Sequence, residues 1–203
     1  MLAFRPEMTI EMPVALLAGG ASKRMGRPKA LLPFGTGTLL QHQLTKLYPL
    51  FDEILLVVKD PPDAATGRAR VLLDATPRQG AIFGLIRALE EVTDHVFVLA
   101  IDLPLVSLDV IAGIAERGLA TAAPAVVVEN KGRLEPLAAV WRRGVLPTAR
   151  KHVAAGDLSL QSLARSAGAE ILSEPEWKRF DPSGNSFSNL NTMNDYLVMR
   201  ERA

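Results

Sequence analysis

The chain has 203 residues, 48% of them hydrophobic, with a formal net charge of +1. This length and composition predict one domain with a sizeable buried core, and the balanced charge argues against nucleic acid or an anionic membrane as a partner. Cysteine is absent, which excludes disulfides, thiolate metal sites and thiol nucleophiles.

Strands and helices alternate through the first half of the chain. Residues 1–12 carry two acidic side chains and no long apolar run, so we expect neither a secretory signal nor a membrane span, and we expect a cytoplasmic protein. Apolar runs and helical spacing then predict strands at Val14–Leu17, 53–58, Arg70–Leu73 and 95–101, and helices over 39–48 and 82–92. This order predicts a doubly wound α/β protein, a Rossmann-like three-layer sandwich with a mostly parallel sheet.

The second half is less regular. Its pattern predicts helices over 110–119, 145–155 and Leu160–Ala167, and strands over 125–128, 137–141 and 169–172. Ser107 is the best N-cap candidate for the first of these helices. The segment 177–188 is polar, which is typical of a flexible lid or a surface loop.

A glycine-rich, basic loop follows the first predicted strand. The glycines that would free backbone N–H groups for phosphate oxygens are Gly19, Gly20 and Gly26. The four cationic side chains within seven positions are Lys23, Arg24, Arg27 and Lys29. The spacing matches neither a P-loop nor a dinucleotide-binding fingerprint. We interpret the loop as a grip for a nucleoside triphosphate, with a solvated basic turn as the alternative.

An aspartate directly follows the most apolar predicted strand. Asp102 stands in Ile-Asp-Leu-Pro, where the sheet would deliver its carboxylate to the edge at which open α/β sheets bind ligands. Mg²⁺ typically takes one or two carboxylates together with phosphate oxygens and water. We therefore predict that Asp102 binds a metal ion. The alternative is a helix cap, for which Ser107 is better placed.

The basic loop resembles a nucleotidyltransferase signature. Leu-Ala-Gly-Gly-x-Ser-x-Arg-Met-Gly-x-x-Lys is matched from Leu17 through Lys29 at every defined position. Asp102-Leu-Pro resembles the metal-binding Asp-x-Pro motif of the same family. Asp74, followed by Gly-x-x-x-Gly at 80–84, resembles the family's nucleotide-contacting Asp, although a turn or capping role is also consistent with its position.

A late motif extends the resemblance toward the end of the chain. Residues 187–195, Phe-Ser-Asn-Leu-Asn-Thr-Met-Asn-Asp, resemble the family's Phe-x-Asn-x-Asn-Thr-Pro-x-Asp/Glu, with Met193 in place of proline. Neutral amides at Asn189 and Asn191 can bind a phosphate or a pterin edge. The alternative is a turn that caps a terminal helix through Asn191 or Thr192. The family is that of the molybdenum cofactor guanylyltransferases.

This resemblance implies a nucleotidyltransferase fold and transfer of GMP from GTP to the molybdenum-molybdopterin cofactor, with Mg²⁺ as the metal. The GTP-binding residues that it implies are Leu17, Ala18, Gly19, Gly20, Lys29, Asp74 and Asp102. The catalytic residues are Arg24, Lys29 and Asp102, of which Asp102 also binds the metal, and Asn189 and Asn191 lie on the molybdopterin side. Within one domain, residues 13–106 would bind the nucleotide and 107–203 the acceptor.

The residues fit this chemistry, but they leave alternatives open. A phosphate monoester is largely ionised near neutral pH, so no strong general base is needed. Gly19 favours guanine because it leaves room for a purine, while a CTP-dependent molybdopterin cytidylyltransferase, another small nucleotidyltransferase and a GTP-binding molybdopterin carrier remain alternatives. The resemblance implies molybdoenzymes or other cofactor-biosynthesis proteins as partners, and neither nucleic acid nor a membrane.

Overall fold

The computed structural model describes residues 9–19 and 28–201. The elements of the first half are β1 (Val14–Leu17), β2 (Pro33–Phe34), β3 (Gly37–Thr38), α1 (Leu39–Leu47), β4 (Ile54–Val58), β5 (Arg70–Leu73), α2 (Ala81–Glu91) and β6 (His95–Ala100). Those of the second half are α3 (Leu108–Ala120), β7 (Ala125–Asn130), β8 (Arg133–Arg142), α4 (Leu146–Ala154), α5 (Leu160–Ala167), β9 (Glu170–Leu172), α6 (Glu174–Trp177) and α7 (Met193–Arg200). Within these ranges, no helix has the length and apolar character needed to cross a bilayer.

Seven of the described strands form one sheet in the order β5-β4-β1-β6-β8-β7-β9. The strands β5, β4, β1 and β6 run parallel to one another. β8 runs antiparallel to both β6 and β7, and β9 is parallel to β7. The predicted α/β class with a mostly parallel sheet is therefore confirmed.

Successive side chains of the central strands enter two separate cores, one on each face of the sheet. Val14 and Leu16 pack into the core that α1, α3, α6 and α7 cover, whereas Ala15 packs into the core that α2, α4 and α5 cover. Strand side chains alternate between faces, so a strand covered on both sides needs apolar residues at every position. This explains the continuous apolar runs and confirms the three-layer sandwich.

β8 is longer than the predicted strand 137–141. It begins at Arg133 because β7 and β8 form a hairpin through Lys131 and Gly132, which have φ values of 51° and 74°. Pro136 falls where the register between the two strands shifts, so its missing N–H disrupts no regular pairing there. The sequence pattern predicted the strand only from residue 137, since Arg133, Glu135 and Pro136 interrupt the apolar run before it.

The segment 177–188, for which the sequence left a flexible lid and a surface loop open, packs against the body of the protein. Trp177 is only 1% exposed, and its Nε1 donates to the Glu129 carbonyl at 2.9 Å. Its ring meets that of Phe187 edge-on, with centroids 4.7 Å apart. The buried Asp181 carboxylate accepts hydrogen bonds from the backbone and hydroxyl of Ser186. Two aromatic anchors therefore hold a stretch whose composition is mostly polar.

The contact between α3 and β8 requires a glycine. A Cβ atom at Gly118 would lie 2.6 and 2.7 Å from the two Cγ atoms of Val140, a stiff and buried side chain. We expect Gly118→Ala to lower the free energy of unfolding by about 1–3 kcal/mol through overpacking, which outweighs the gain of about 1 kcal/mol in helix propensity. Urea unfolding measures the difference.

The matched control is Gly144→Ala, because no atom lies within 4 Å of a Cβ built at Gly144. We expect this variant to be as stable as the parent or slightly more stable. Equal stability of the two alanine variants would contradict the close-packing explanation.

Candidate active site

The carboxyl ends of β1, β4, β5 and β6 open into one cleft of about 440 Å³. The strand order reverses here, because β4 and β5 lie on one side of β1 and β6 lies on the other, and open α/β sheets bind ligands at such points. The volume falls within the usual range for small-molecule sites. The predicted site residues that line the cleft are Leu17, Ala18, Gly19, Lys29, Asp74 and Asp102.

The end of β1 is held from both sides. The Ala18 N–H donates to the Val57 carbonyl at 2.9 Å, and the Ile101 N–H donates to the Leu17 carbonyl at 3.1 Å. These bonds continue the two parallel ladders beyond the strand. The backbone that enters the predicted phosphate grip therefore starts from a fixed position between β4 and β6.

Gly19 lies against the backbone of the neighbouring strand end. A Cβ atom at this position would lie 3.2 Å from the Lys59 backbone nitrogen and 3.4 Å from the Val58 carbonyl carbon. These backbone atoms would have to move by a few tenths of an ångström to admit a methyl group. The space beside Gly19 is thus filled by the protein itself, so the argument that Gly19 leaves room for a purine loses its geometric basis.

Asp102 and Lys29 form an ion pair at the end of β6. Lys29 Nζ lies 3.3 Å from Asp102 Oδ2, and the side chains are 18% and 26% exposed. A partly exposed pair contributes little to stability, so both groups can turn to a ligand at small cost. Asp102 is not the cap of α3, since the Ser107 hydroxyl accepts the Val110 N–H at 3.1 Å, as predicted.

Asp74 has a partner that the sequence analysis missed. Lys59 Nζ lies 2.6 Å from Asp74 Oδ2 and also donates to the carbonyls of Thr76 and Arg78, at 2.6 and 2.9 Å. The Asp74 carboxylate also accepts the Thr76 N–H at 3.1 Å. This second ion pair holds the loop after β5 against the end of β4. The sequence does carry a signal for this residue. Lys59 is a cation directly after an apolar strand, at the same edge of the sheet as Asp74 and Asp102.

The late motif reaches the site through its backbone. The Leu190 N–H donates to the Asp102 carbonyl at 2.8 Å, which places the exposed Asn189 and Asn191 on either side of this contact. Neither asparagine is among the described residues that line the cleft. Thr192 caps α7 in a capping box, so the predicted cap is confirmed, while the predicted ligand role of the two asparagines remains a prediction.

Asp195 links the same motif to Lys29. Its carboxylate accepts the N–H groups of Asn191 and Thr192 at 3.0 and 2.7 Å. These hydrogen bonds, beginning with that from Asn191, lower the pKa of Asp195, and the positive charge of Lys29 contributes in the same direction. The cation at the cleft and the start of α7 are therefore close enough to interact electrostatically.

The carboxylate ligand at this edge suits a hard cation that is held by phosphate oxygens as well. No three acidic, histidine or cysteine side chains of the described residues form a metal-binding group, so an ion bound by Asp102 would complete its shell with phosphate and water oxygens. Glu135, near the start of β8, is close enough to Asp102 for the two negative charges to interact. Burial, and then the negative charge of Asp102, raise the pKa of Glu135, against the lowering effects of Asn130 and Arg133.

Part of the predicted grip lies outside the described residues 9–19 and 28–201. The predicted site residues in this position are Gly20 and Arg24, together with the other loop residues Lys23, Gly26 and Arg27. Lys29, at the start of a 3-10 turn (Lys29–Leu31), is the cation of this loop that the structure places in the cleft.

Comparison with known proteins agrees with this geometry. The model of the MobA-like NTP transferase domain matches residues 14–171. A probable molybdenum cofactor guanylyltransferase of Carboxydothermus hydrogenoformans is 37% identical over 69% of this chain and 70% of that protein. The molybdenum cofactor guanylyltransferase of Syntrophotalea carbinolica is 31% identical over 92% of this chain and 90% of its own length.

Two solved structures show the same fold. The molybdopterin-guanine dinucleotide biosynthesis protein A of Archaeoglobus fulgidus gives a TM-score of 0.83 at 24% identity, covering 94% of this chain and 98% of that one. The 2-C-methyl-D-erythritol 4-phosphate cytidylyltransferase of Thermus thermophilus gives 0.65 at 18% identity, covering 96% and 98%. At these identities, the likeness supports the architecture alone.

The sheet, its switch-point cleft and these neighbours define an α/β architecture, and the family model and the named relatives identify the class as nucleotidyltransferase. The family model covers well over half of the sequence, and the chain belongs to the MobA-like NTP transferase family. The predicted family and enzyme class are confirmed.

The packing of Gly19 predicts how a methyl group would act. We expect Gly19→Ala to weaken the binding of GTP and the binding of CTP by the same factor, about fivefold. The added methyl group separates the ends of β1 and β4, at a cost of about 1 kcal/mol or more. Calorimetric titration with each nucleotide measures this, and Gly144→Ala is the control. A loss confined to GTP would restore the purine-space explanation.

Proposed function

We propose that this protein transfers GMP from GTP to the molybdenum-molybdopterin cofactor, forming molybdopterin guanine dinucleotide and pyrophosphate. The names of the curated relatives support the substrates. The observation that carries the proposal is the pair formed by Lys29 and Asp102 in the switch-point cleft. It sets a cation that can bind phosphate 3.3 Å from a carboxylate that can bind a divalent metal.

The reaction needs positioning more than proton transfer. An oxygen of the terminal molybdopterin phosphate forms a bond to the α-phosphorus of GTP, while the bond from that phosphorus to the α–β bridging oxygen breaks and pyrophosphate leaves. The attacking phosphate has a second pKa of about 6, so it is already largely ionised near neutral pH. The protein must therefore hold two anions together and offset their charge.

The ion pairs divide this work along the cleft. Lys29, together with Arg24 of the same motif, binds the triphosphate and offsets the charge that develops on the leaving pyrophosphate. Asp102 holds Mg²⁺, which when bound supplies further positive charge to the phosphates. Lys59 orients Asp74, whose carboxylate faces the nucleoside end of GTP.

The proposal assigns the two halves of the chain to the two substrates. The backbone of residues 17–20 and Asp74 belong to the nucleotide side, within residues 13–106. Asn189 and Asn191, which flank the contact with the Asp102 carbonyl, belong to the molybdopterin side, within residues 107–203. The proposal includes the cytoplasm as the compartment, with molybdoenzymes or other cofactor-biosynthesis proteins as recipients of the product.

A molybdopterin cytidylyltransferase is the alternative that the packing of Gly19 leaves open. Gly19 no longer separates GTP from CTP, because a methyl group there would meet Val58 and Lys59 in place of the base. The relatives named guanylyltransferases favour GTP. A GTP-binding carrier of molybdopterin would bind both ligands without releasing pyrophosphate.

Base selection and enzyme function can be tested in one assay. The protein is incubated with molybdopterin cofactor, Mg²⁺ and each of the four ribonucleoside triphosphates, and pyrophosphate is measured. We expect release with GTP at least about tenfold faster than with the other three, a difference of about 1.4 kcal/mol in transition-state binding. Faster release with CTP would identify a cytidylyltransferase, and tight GTP binding without pyrophosphate would identify a carrier.

The role of Asp102 predicts a loss of transfer. Asp102→Asn keeps the size of the side chain but removes the charge that holds the metal, so we expect pyrophosphate release with GTP to fall about a hundredfold or more. GTP binding in the presence of EDTA should persist. Glu116→Gln, an exposed carboxylate on α3, is the matched control. If Asp102→Asn kept most of its Mg²⁺-dependent activity, Asp102 would have no metal role.

The role of Lys29 predicts a loss of nucleotide affinity. Lys29→Ala removes a charge-assisted contact worth about 1.5–3 kcal/mol, so the Kd for GTP should rise about tenfold or more. Lys151→Ala, an exposed lysine on α4, should leave the Kd unchanged. Calorimetry compares the two variants, and an equal affinity in both would remove Lys29 from the phosphate site.

A further inference from the structure

One helix donates hydrogen bonds to the loop that carries Asp102. The Gln43 side chain of α1 is fully buried, and its Nε2 donates to the carbonyls of Leu103 at 3.1 Å and Ile101 at 3.4 Å. These carbonyls belong to the residues immediately before and after Asp102. A single amide group thereby ties down the backbone on both sides of the carboxylate.

Lys46 extends the same set of bonds one helical turn further along α1. Its Nζ donates to the carbonyl of Pro104 and, at 3.2 Å, to that of Val106. The His42 ring lies beside it, with Nε2 3.4 Å from the Pro104 carbonyl oxygen. Four carbonyls between residues 101 and 106 therefore face polar side chains of one helix.

The loop needs these donors because it is neither strand nor helix between residues 102 and 107. Backbone carbonyls outside regular structure must find other partners when they are buried. A further contact comes from the segment before α7, where the Leu190 N–H donates to the Asp102 carbonyl at 2.8 Å. Asp102 therefore sits on a loop that is clamped by two separate segments of the chain.

Gln43 is an unfavourable residue for core packing alone. The Gln43 Oε1 atom is buried without a hydrogen-bond partner in the described structure. The other buried residues of α1, such as its neighbour Leu44, are apolar. Lys46 is unfavourable for the same reason, since burial lowers its pKa to about 8. Both residues carry a desolvation cost, and the donors they aim at the loop offset it.

We propose that Gln43 and Lys46 are positioning residues, which fix the backbone around Asp102 and so set where its carboxylate meets the metal and the phosphates. This inference rests on the proposed function, because it assumes that Asp102 takes part in transfer. A displacement of about 1 Å at a reacting group can cost about a hundredfold in rate, so the clamp matters even though neither residue touches a substrate.

The test uses Gln43→Leu and Lys46→Met in the full-length protein. We expect kcat with GTP to fall about tenfold or more in each, and Mn²⁺ affinity, measured by electron paramagnetic resonance with GTP present, to fall by a similar factor. GTP affinity in EDTA should change less than about twofold, since the nucleotide contacts are intact. Lys46→Arg keeps the charged donor and should restore most of both values.

Thr38→Ala is the control for a merely structural effect. Thr38 accepts the Gln41 N–H and caps α1, so its loss weakens the same helix without touching the four carbonyls. We expect parental kcat and Mn²⁺ affinity in Thr38→Ala. An equal loss in this variant would overturn the positioning role, as would parental values in both Gln43→Leu and Lys46→Met. If Gln43→Leu does not fold, Gln43→Met is measured in its place.

Asp102→Asn separates failure of this inference from failure of the proposed function. An active Asp102→Asn protein would overturn the assumed role of the carboxylate, and with it the reason for the clamp. An inactive Asp102→Asn protein, together with fully active Gln43→Leu and Lys46→Met, would overturn the positioning role alone.

Discussion

The central position of β1 is the constraint on which the site depends. Its residues pair with β4 on one side and with β6 on the other, and the bonds at Leu17 and Ala18 carry both ladders past its end. The chain must therefore leave the sheet between two other strand ends. Glycine is favoured one residue later, at Gly19, because a methyl group there would lie 3.2 Å from the Lys59 backbone nitrogen and would have to displace it.

Among residues 9–19 and 28–201, the charged side chains that line the cleft form two pairs. Lys29 lies beside Asp102 and Lys59 beside Asp74, so each cation has a carboxylate partner before any ligand arrives. The two pairs differ in length and in the exposure of the carboxylate: Lys59 and Asp74 lie 2.6 Å apart with Asp74 8% exposed, whereas Lys29 and Asp102 lie 3.3 Å apart with Asp102 26% exposed. The Lys29–Asp102 pair is thus suited to exchange its partners for phosphate and metal. The Lys59–Asp74 pair is suited to hold a fixed shape.

Local pattern predicted the strands and much of the site, while tertiary contacts decided the rest. The apolar runs located β1 and β6, and the motif spacing located Lys29 and Asp102, because these depend on residues close in sequence. Lys59 was missed because its partner lies 15 positions away, across two strand ends. The packing of Trp177 was also missed, since a mostly polar segment conceals the two aromatic residues that anchor it.

The direction of β8 gives the cleft a wall that is separate from its parallel strands. β7 ends at the same edge as the cleft, and the turn at Lys131 and Gly132 sends β8 back with Glu135 and Leu137 near its start. No atom lies within 4 Å of a Cβ placed on Gly132, so this turn projects outward. An insertion at the turn would lengthen this wall of the cleft without moving the ends of β1, β4 and β6.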